Sequence, residues 1–552
     1  MRPIAIGTDD FKEIIESNSL FIDKTLFIKD IIDDTGKVLL FPRPRRFGKS
    51  LNMSMINYYF NNSYDSKYLF DGLNISKCED KYLMEMNKYP VISLSLKDCK
   101  KGTYLEFISS FKIIISDLYN NYKYLLESSL IDEVEKDYFR RCLKREEDIQ
   151  LSLSLSRLMY MLKKHYNMEV IVLLDEYDAP IMEGYLKGYY GEIINFMRNL
   201  FSSTFKGNLD LKKGIITGIL RVSKEGMFSG ANNINVYNIT DSLYSNYFGF
   251  LESEVEDVLK EYGLSDKFSL VKTWYDGYLF GKSTIYNPWS ILCYLKDIDH
   301  KFGVYWANTG GVDLLKDLIY TTKGNTTLLE CFHSLLEKGY IEHINLDMYM
   351  DLTNLNHDIN TVFTLFMLSG YLTPSYTFDS YENVSLKIPN LEIRKNLENI
   401  CINWFRENVS YADDLIRSLL SNDLYNFKNI LLDIVKSSFS YYDLPASNLG
   451  ESFYHAFVMG LLYINVLEFK ITSNRESGYG RYDLLLEPKD GSCKYAYLIE
   501  FKALSNGDFS KTIEDAFKQI EEKEYANSFK DYDFTKIVIV FKGKEIMIET
   551  RK

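Results

Sequence analysis

Gly48, Lys49 and Ser50 close the segment Arg43-Pro-Arg-Arg-Phe-Gly48-Lys49-Ser50, which follows the apolar run Val38–Phe41 and precedes the helical pattern Leu51–Tyr59. Backbone amides of such a loop, with the helix N-terminus behind it, present the positive end of the peptide dipoles to anionic oxygens. In the usual G-x-x-x-x-G-K-[ST] pattern the lysine reaches the terminal phosphates and the hydroxyl ligates Mg²⁺. Lys49 and Ser50 fit those roles. Arg43 stands where the pattern has its first Gly, which would change the entry turn or narrow the anion cradle. Arg43, Arg45 and Arg46 make a dense basic patch, read here as phosphate neutralisation or ion pairing rather than DNA contact. An isolated Gly-Lys-Ser is better explained by a basic turn capping a helix.

A second element favours the phosphate reading. Glu169-Val-Ile-Val-Leu-Leu174-Asp175-Glu176-Tyr-Asp178 is an apolar run ending in acids. Apolar residues on both faces predict a buried central strand, and ligands in such sheets sit at the carboxyl ends of strands. Asp175 would hold Mg²⁺ with Ser50, and Glu176 would orient or deprotonate the attacking water, the two tasks of a nucleotide hydrolase. A strand-end acidic turn is the plainer alternative. Ile215-Ile-Thr217-Gly218-Ile-Leu-Arg221 reads as another central strand, where Thr217 would sense the terminal phosphate and Arg221 would neutralise charge in the transition state. A strand-end Thr and a surface Arg are the ordinary readings of both.

A third constellation lies near the C-terminus. Asp483 is followed, after sixteen residues, by Glu500-Phe501-Lys502, each in an apolar β-like run. Alternation along a strand sends Glu500 and Lys502 to one face and Phe501 to the other. Two carboxylates and an ammonium then converge, the D…E-x-K arrangement in which acids fix Mg²⁺ and the lysine orients a water or offsets developing charge on a phosphodiester. Glu451 would add an outer metal ligand and Gln519 would face the same cleft. His455 reads as a packed helix residue, and E-x-K alone is a common solvated pair.

The elements that must position these groups are legible as changes of pattern. Between Lys37 and about Leu220, short apolar runs at 38–41, 91–96, 170–174 and 214–220 alternate with helical patterns, which predicts a parallel sheet with crossover helices. Residues 101–165 read as an inserted helical layer. From about 250 to 440 the pattern is mainly helical, with amphipathic stretches at 252–262 and 314–320. Beyond 443, strands near 466–471, 481–487, 495–502 and 536–541 with helices at 450–465 and 509–525 predict a small mixed sheet flanked by helices.

The chain has 552 residues, and at roughly 100–200 per domain it predicts about three to five units. Apolar and charged fractions of 46% and 26% are ordinary for globular proteins and exclude disorder and fibrous architecture. A net charge of −13 provides no global attraction to nucleic acid, so a nucleic-acid site must be local. Seven scattered cysteines with no CxxC pair argue against a disulfide framework or structural zinc. No signal core and no run of about 18 apolar residues is present, which predicts a soluble cytoplasmic protein without a membrane span.

The linked motifs, with Phe21-Ile-Asp-Lys-Thr25, Trp274-Tyr-Asp-Gly-Tyr278, Tyr286-Asn-Pro-Trp289 and Gly480-Arg-Tyr-Asp483, resemble bacterial proteins that join an AAA-ATPase-like region to a PD-(D/E)XK nuclease-superfamily domain. The resemblance spans nearly the whole chain, and within that family the Arg-rich loop without its first Gly looks normal. It implies an α/β P-loop core over 1–300, a helical or winged-helix-like connector over 301–440, and a restriction-endonuclease-like α/β domain over 441–552. Leu368-Ser-Gly-Tyr-Leu372 and Ile388-Pro-Asn390 look like parts of that connector. The implied cofactors are ATP, held by Arg45, Arg46, Gly48, Lys49, Ser50, Asp175, Thr217 and Arg221, and Mg²⁺, at Ser50 and Asp175 and at Glu451, Asp483 and Glu500. Glu176, Asp483, Glu500 and Lys502 are the expected catalytic residues. The expected partner is nucleic acid, DNA before RNA, with a homo-oligomer left open because related sites borrow an Arg from a neighbouring subunit. The alternative is an ATP-dependent switch whose nuclease-like domain is catalytically silent.

Overall fold

The apolar runs that open the chain become a five-stranded sheet. Its strands are β1 (Val38–Pro42), β2 (Val91–Ser95), β3 (Val170–Asp175), β4 (Leu211–Gly218) and β5 (Ile234–Val236), in the order β2-β3-β4-β1-β5 and parallel throughout. Every residue of β1 and β3 is buried, as strands covered on both faces require. The computed structural model describes residues 1–221, 234–306, 331, 335, 338–356, 358–408, 412–438, 458, 469–473, 476–477, 480–481, 483–489, 494–504, 508–522, 533–542 and 545–552.

Register decides what the sheet can position. Phe41 lies beside Thr217 and Pro42 beside Gly218, while Leu174 lies beside Ile216. The carboxyl ends of β1, β3 and β4 therefore stand level, with β4 between the strand that enters the phosphate loop and the strand that ends at Asp175. The helix Lys49–Phe60 leaves the loop at this edge. Helices Tyr104–Asn120, Glu133–Lys144 and Ser154–Tyr166 lie in the chain between β2 and β3.

Compactness groups the residues into two units, 1–315 with 340–394, and 316–339 with 395–552. These cuts differ from the expected ones at 300 and 440. Within the first unit, β6 (Phe250–Leu251), β7 (Tyr278–Phe280) and β8 (Ser283–Tyr286) form one small antiparallel sheet in the order β6-β8-β7. A second, antiparallel and ordered β10-β11-β9, comprises β9 (Tyr340–Ile344), β10 (Thr373–Pro374) and β11 (Val384–Lys387).

The second unit is built on β12 (Phe469–Ser473), β15 (Leu484–Pro488), β16 (Tyr495–Ala503), β17 (Asp533–Lys542) and β18 (Glu545–Arg551), in the order β12-β15-β16-β17-β18. The short pair β13 (Glu476–Ser477) and β14 (Gly480–Arg481) stands apart from that order. Only the β16–β17 pairing is parallel, and the helix Phe509–Glu522 makes the crossover between them. Strand alternation splits the core in two. Leu484, Tyr497, Ile499 and Phe501 pack with Leu415, Phe427 and Leu431 of the helices Ala412–Leu420 and Leu424–Ser438. Leu485, Leu498, Val538 and Val540 pack with Ile513 and Phe517 of the crossover helix. No described helix is long and apolar enough to cross a membrane.

Candidate active sites

Gly48 enters the helix Lys49–Phe60 at φ 81°, in the left-handed region that glycine adopts without strain, and Arg46 stands at φ 67° in the same turn. Lys49 is 5% exposed, and its ammonium donates to the carbonyls of Arg43 and Pro44 at 3.0 and 2.9 Å. Burial pulls its pKa down, opposed first by the charge of Glu176 and then by that of Asp175. The phosphate-loop lysine is thus folded into its own loop beside two carboxylates.

Asp175 is the hinge of the site. Its Oδ2 accepts the Ser50 hydroxyl at 2.6 Å, across 125 residues of sequence. Its Oδ1 accepts the Thr217 hydroxyl and the Glu176 main-chain N–H, the latter at 3.0 Å. Both oxygens are therefore oriented, one toward the helix N-terminus and one toward β4. Glu176 follows at φ 51° and is half-buried, which leaves its carboxylate reachable by water at the strand tips. Lys49, Ser50, Asp175, Glu176 and Thr217 come together at one edge of the sheet.

The remaining members of the acidic turn serve as a brace. Tyr177 donates its hydroxyl to the Leu220 carbonyl at 2.7 Å. Asp178 accepts the main-chain N–H groups of Ile219 and Leu220, each at 2.8 Å, and burial pushes its pKa up. A Cβ on Gly218 would meet Asp178 Oδ1 at 2.7 Å, so the close fit needs glycine there. Sequence reasoning passed over this role, although the motif itself was in view.

The three arginines separate. Arg43 is fully buried and donates to the carbonyls of Pro42 at 2.8 Å and Tyr237 at 2.6 Å, with its guanidinium 4.8 Å from the centre of the Phe248 ring. Desolvation brings its pKa down to about 9. The expectation of a three-arginine patch is corrected: Arg43 is an internal anchor, because its side chain lies against the aromatic core behind the loop. Arg46 is exposed and stacks on Trp289 at 4.0 Å, and the carbonyl of Arg45 accepts the Trp306 indole N–H at 3.3 Å. Arg221 lies 3.9 Å from the centre of the Tyr349 ring.

In the second unit, β15 and β16 run antiparallel with Leu484 opposite Ile499. Carried one residue further, that register sets Asp483 opposite Glu500, and directly opposed residues share a face. The Asp483 carboxylate accepts the Phe501 main-chain N–H at 2.8 Å, which holds it on β16. Glu500 is 2% exposed, and its Oε1 accepts from the Lys502 ammonium at 3.1 Å. By alternation Glu500 and Lys502 lie on the face of Leu498, covered by the crossover helix that carries Gln519, while Phe501 joins the other core layer. Glu451 and His455 lie outside the described residues. Among the described residues no group of three or more His, Cys, Asp or Glu converges. The donors that do meet, Ser50 with Asp175 and Asp483 beside Glu500, are hard oxygens.

Comparison with known proteins bears on both halves. Residues 5–228 match the family model described as "Predicted AAA-ATPase", and residues 449–551 match that of the PD-(D/E)XK nuclease superfamily. The expected pair of domains is present. The AAA-ATPase-like match contains β1 to β4 with the phosphate loop, Asp175 and Thr217, and the PD-(D/E)XK match contains Asp483, Glu500 and Lys502. The chain is also similar to an "Uncharacterized protein in vnfD 5'region" of Azotobacter chroococcum mcd 1, at 24% identity over 542 residues that cover 96% of this chain and 94% of the relative. That likeness runs through the segment between the two matched domains as well.

Proposed function

We propose that the chain binds and hydrolyses ATP at the edge formed by β1, β3 and β4, and that nucleotide binding controls a Mg²⁺-dependent nuclease site on β15 and β16 that cuts DNA. The single observation that carries the nucleotide reading is the 2.6 Å contact between Ser50, in the first turn of the helix after the loop, and Asp175, at the end of β3. It supports a shared ligand. The amides of the loop and the helix N-terminus would hold the phosphates. Lys49, now satisfied by two carbonyls of its own loop, would exchange them for terminal phosphate oxygens, a stronger charge-assisted pairing. Thr217 keeps one Asp175 oxygen fixed so that the other stays at Ser50, and the half-buried Glu176 would orient water. Arg46 and Arg221, each over an aromatic ring, would meet phosphate charge by swinging from those stacks.

Mg²⁺, where bound, lowers the pKa of a coordinated water and offsets charge on the phosphate. Hydroxyl and carboxylate oxygens suit it, the rest of its shell being water and phosphate oxygen. In the second unit the chain's own contribution is Asp483, just before β15, and Glu500 on β16, with Lys502 alongside. The Lys502–Glu500 pair is well covered, at 22% and 2% exposure, which favours a working site over a solvated surface pair.

Purified protein should bind ATP and cut DNA with Mg²⁺, with RNA as the parallel substrate arm. Lys49→Ala should abolish ATP binding. Asp483→Ala should abolish cutting and leave ATP binding intact. Equal cutting by wild type and Asp483→Ala rejects the nuclease assignment in favour of a switch with a silent nuclease-like domain.

A further inference from the structure

The conspicuous segments around Tyr278, Trp289 and Gly370 take no part in either proposed reaction. In the fold they meet behind the phosphate loop. The Tyr278 ring lies edge-on to Phe47 at 4.9 Å, and Trp289 lies under the Arg46 guanidinium. Gly370, at φ 91°, approaches so closely that a Cβ there would stand 3.0 Å from Cβ of Pro44. Trp306, whose ring is 4.8 Å from that of Tyr371, donates its indole N–H to the carbonyl of Arg45. Loop residues 44–47 are therefore each touched from outside.

Trp306 is held in turn by one carboxylate. Glu392 is fully buried, and its Oε1 accepts the main-chain N–H groups of Tyr305 at 2.7 Å and Trp306 at 2.8 Å. Its Oε2 accepts the Ser290 hydroxyl at 2.7 Å. Ser290 belongs to the helix Pro288–Lys296, which also carries Trp289. A single side chain thus ties together the two tryptophans that touch the loop.

The loop needs such support. It begins with an arginine instead of glycine and holds Arg46 in the left-handed region, so its shape is imposed by its surroundings. The peptide unit is planar and trans, so drawing the Arg45 carbonyl toward Trp306 aims the Arg46 N–H the opposite way. Consecutive amides turned in this manner make an anion-binding concavity.

We propose that Trp306 and Glu392 are positioning residues for the phosphate loop: Glu392 fixes Trp306, and Trp306 fixes the Arg45–Arg46 peptide. The consequence for affinity rests on the nucleotide reading above. The consequence for loop order does not. In full-length, nucleotide-free protein, Trp306→Phe keeps an aromatic ring facing Tyr371 and removes the N–H donor together with part of the indole ring. It should speed amide hydrogen exchange across residues 44–49 by roughly fivefold to tenfold. The Kd for ATP should rise by a similar factor with kcat little changed. Glu392→Ala should do the same or more, and Glu392→Gln should restore slow exchange, because its amide oxygen still accepts both main-chain N–H groups. Unchanged exchange in Trp306→Phe overturns the proposal even if Glu392→Ala fails to fold. Faster exchange with an unchanged Kd, where Lys49→Ala no longer binds ATP, overturns its affinity half. Faster exchange in a protein that binds no ATP in any form sustains the strut and removes the nucleotide reading instead.

Discussion

Burial lifts the Glu392 carboxyl from an ordinary 4.5 to about 7. Its titratable neighbours, Tyr275, Tyr278, Tyr305 and Cys293, are all pushed up as well, so none carries a charge that would compensate at neutral pH. A carboxyl whose pKa is higher folded than unfolded stabilises the fold fully below the unfolded value and loses that contribution as pH rises to the folded one. Between about pH 4.5 and 7 this amounts to about 3 kcal/mol, with no further change above. Glu392→Gln stays neutral throughout. Thermal melts of wild type and variant should therefore diverge across that window, the wild type losing more stability as pH rises, and parallel curves would refute the assignment. Glu392 left no trace in the sequence because its partners lie 86–102 residues away. Lys49, Ser50 and Asp175 were legible because strand, loop, helix and terminal acid are each written locally. Arg43 was misplaced because residue type reports charge and not the direction a side chain takes.

Strands β1 and β3 announced themselves as unbroken apolar runs, since a strand buried on both faces has no polar side to write. Strands β6, β7 and β8 did not. At two to four residues they are too short for a period to emerge, and they sit in a stretch whose pattern is mainly helical. The turn into β7 shows what that stretch contributes. Gly277 lies at φ 102°, and a Cβ there would stand 2.1 Å from the carbonyl oxygen of Pro389. Beside it, the Asn390 amide donates to the Asp276 carbonyl at 2.8 Å. Gly277→Ala would force apart the backbones that bring Tyr278 to Phe47 and Glu392 to Trp306, at a cost of about 2 kcal/mol or more. Calorimetry should show a lower melting temperature for the AAA-ATPase-like unit, and an unshifted transition would mean the Gly277–Pro389 approach relaxes freely.

At the scale of the whole chain, length predicted about three to five units, whereas compactness groups the residues into two. Residues 340–394 group with the N-terminal unit through contacts such as Gly370 with Pro44 and Glu392 with Trp306, which join positions far apart in sequence. Joining an ATPase-like unit to a nuclease-like unit matters physically only if each ligand biases a state that the other prefers. Linkage then makes the effect reciprocal: if ATP tightens DNA binding by some factor, DNA must tighten ATP binding by the same factor. The Asp483→Ala variant with a non-hydrolysable ATP analogue allows both affinities to be measured without either reaction running. The expected outcome is mutual tightening of about fivefold or more, equal in the two directions, and lost in Lys49→Ala. A net charge of −13 opposes DNA at long range, so the absolute DNA affinity should be modest and should weaken further with salt, while the ratio of affinities persists. Two affinities indifferent to each other's ligand would leave two units sharing a chain without thermodynamic control of one by the other.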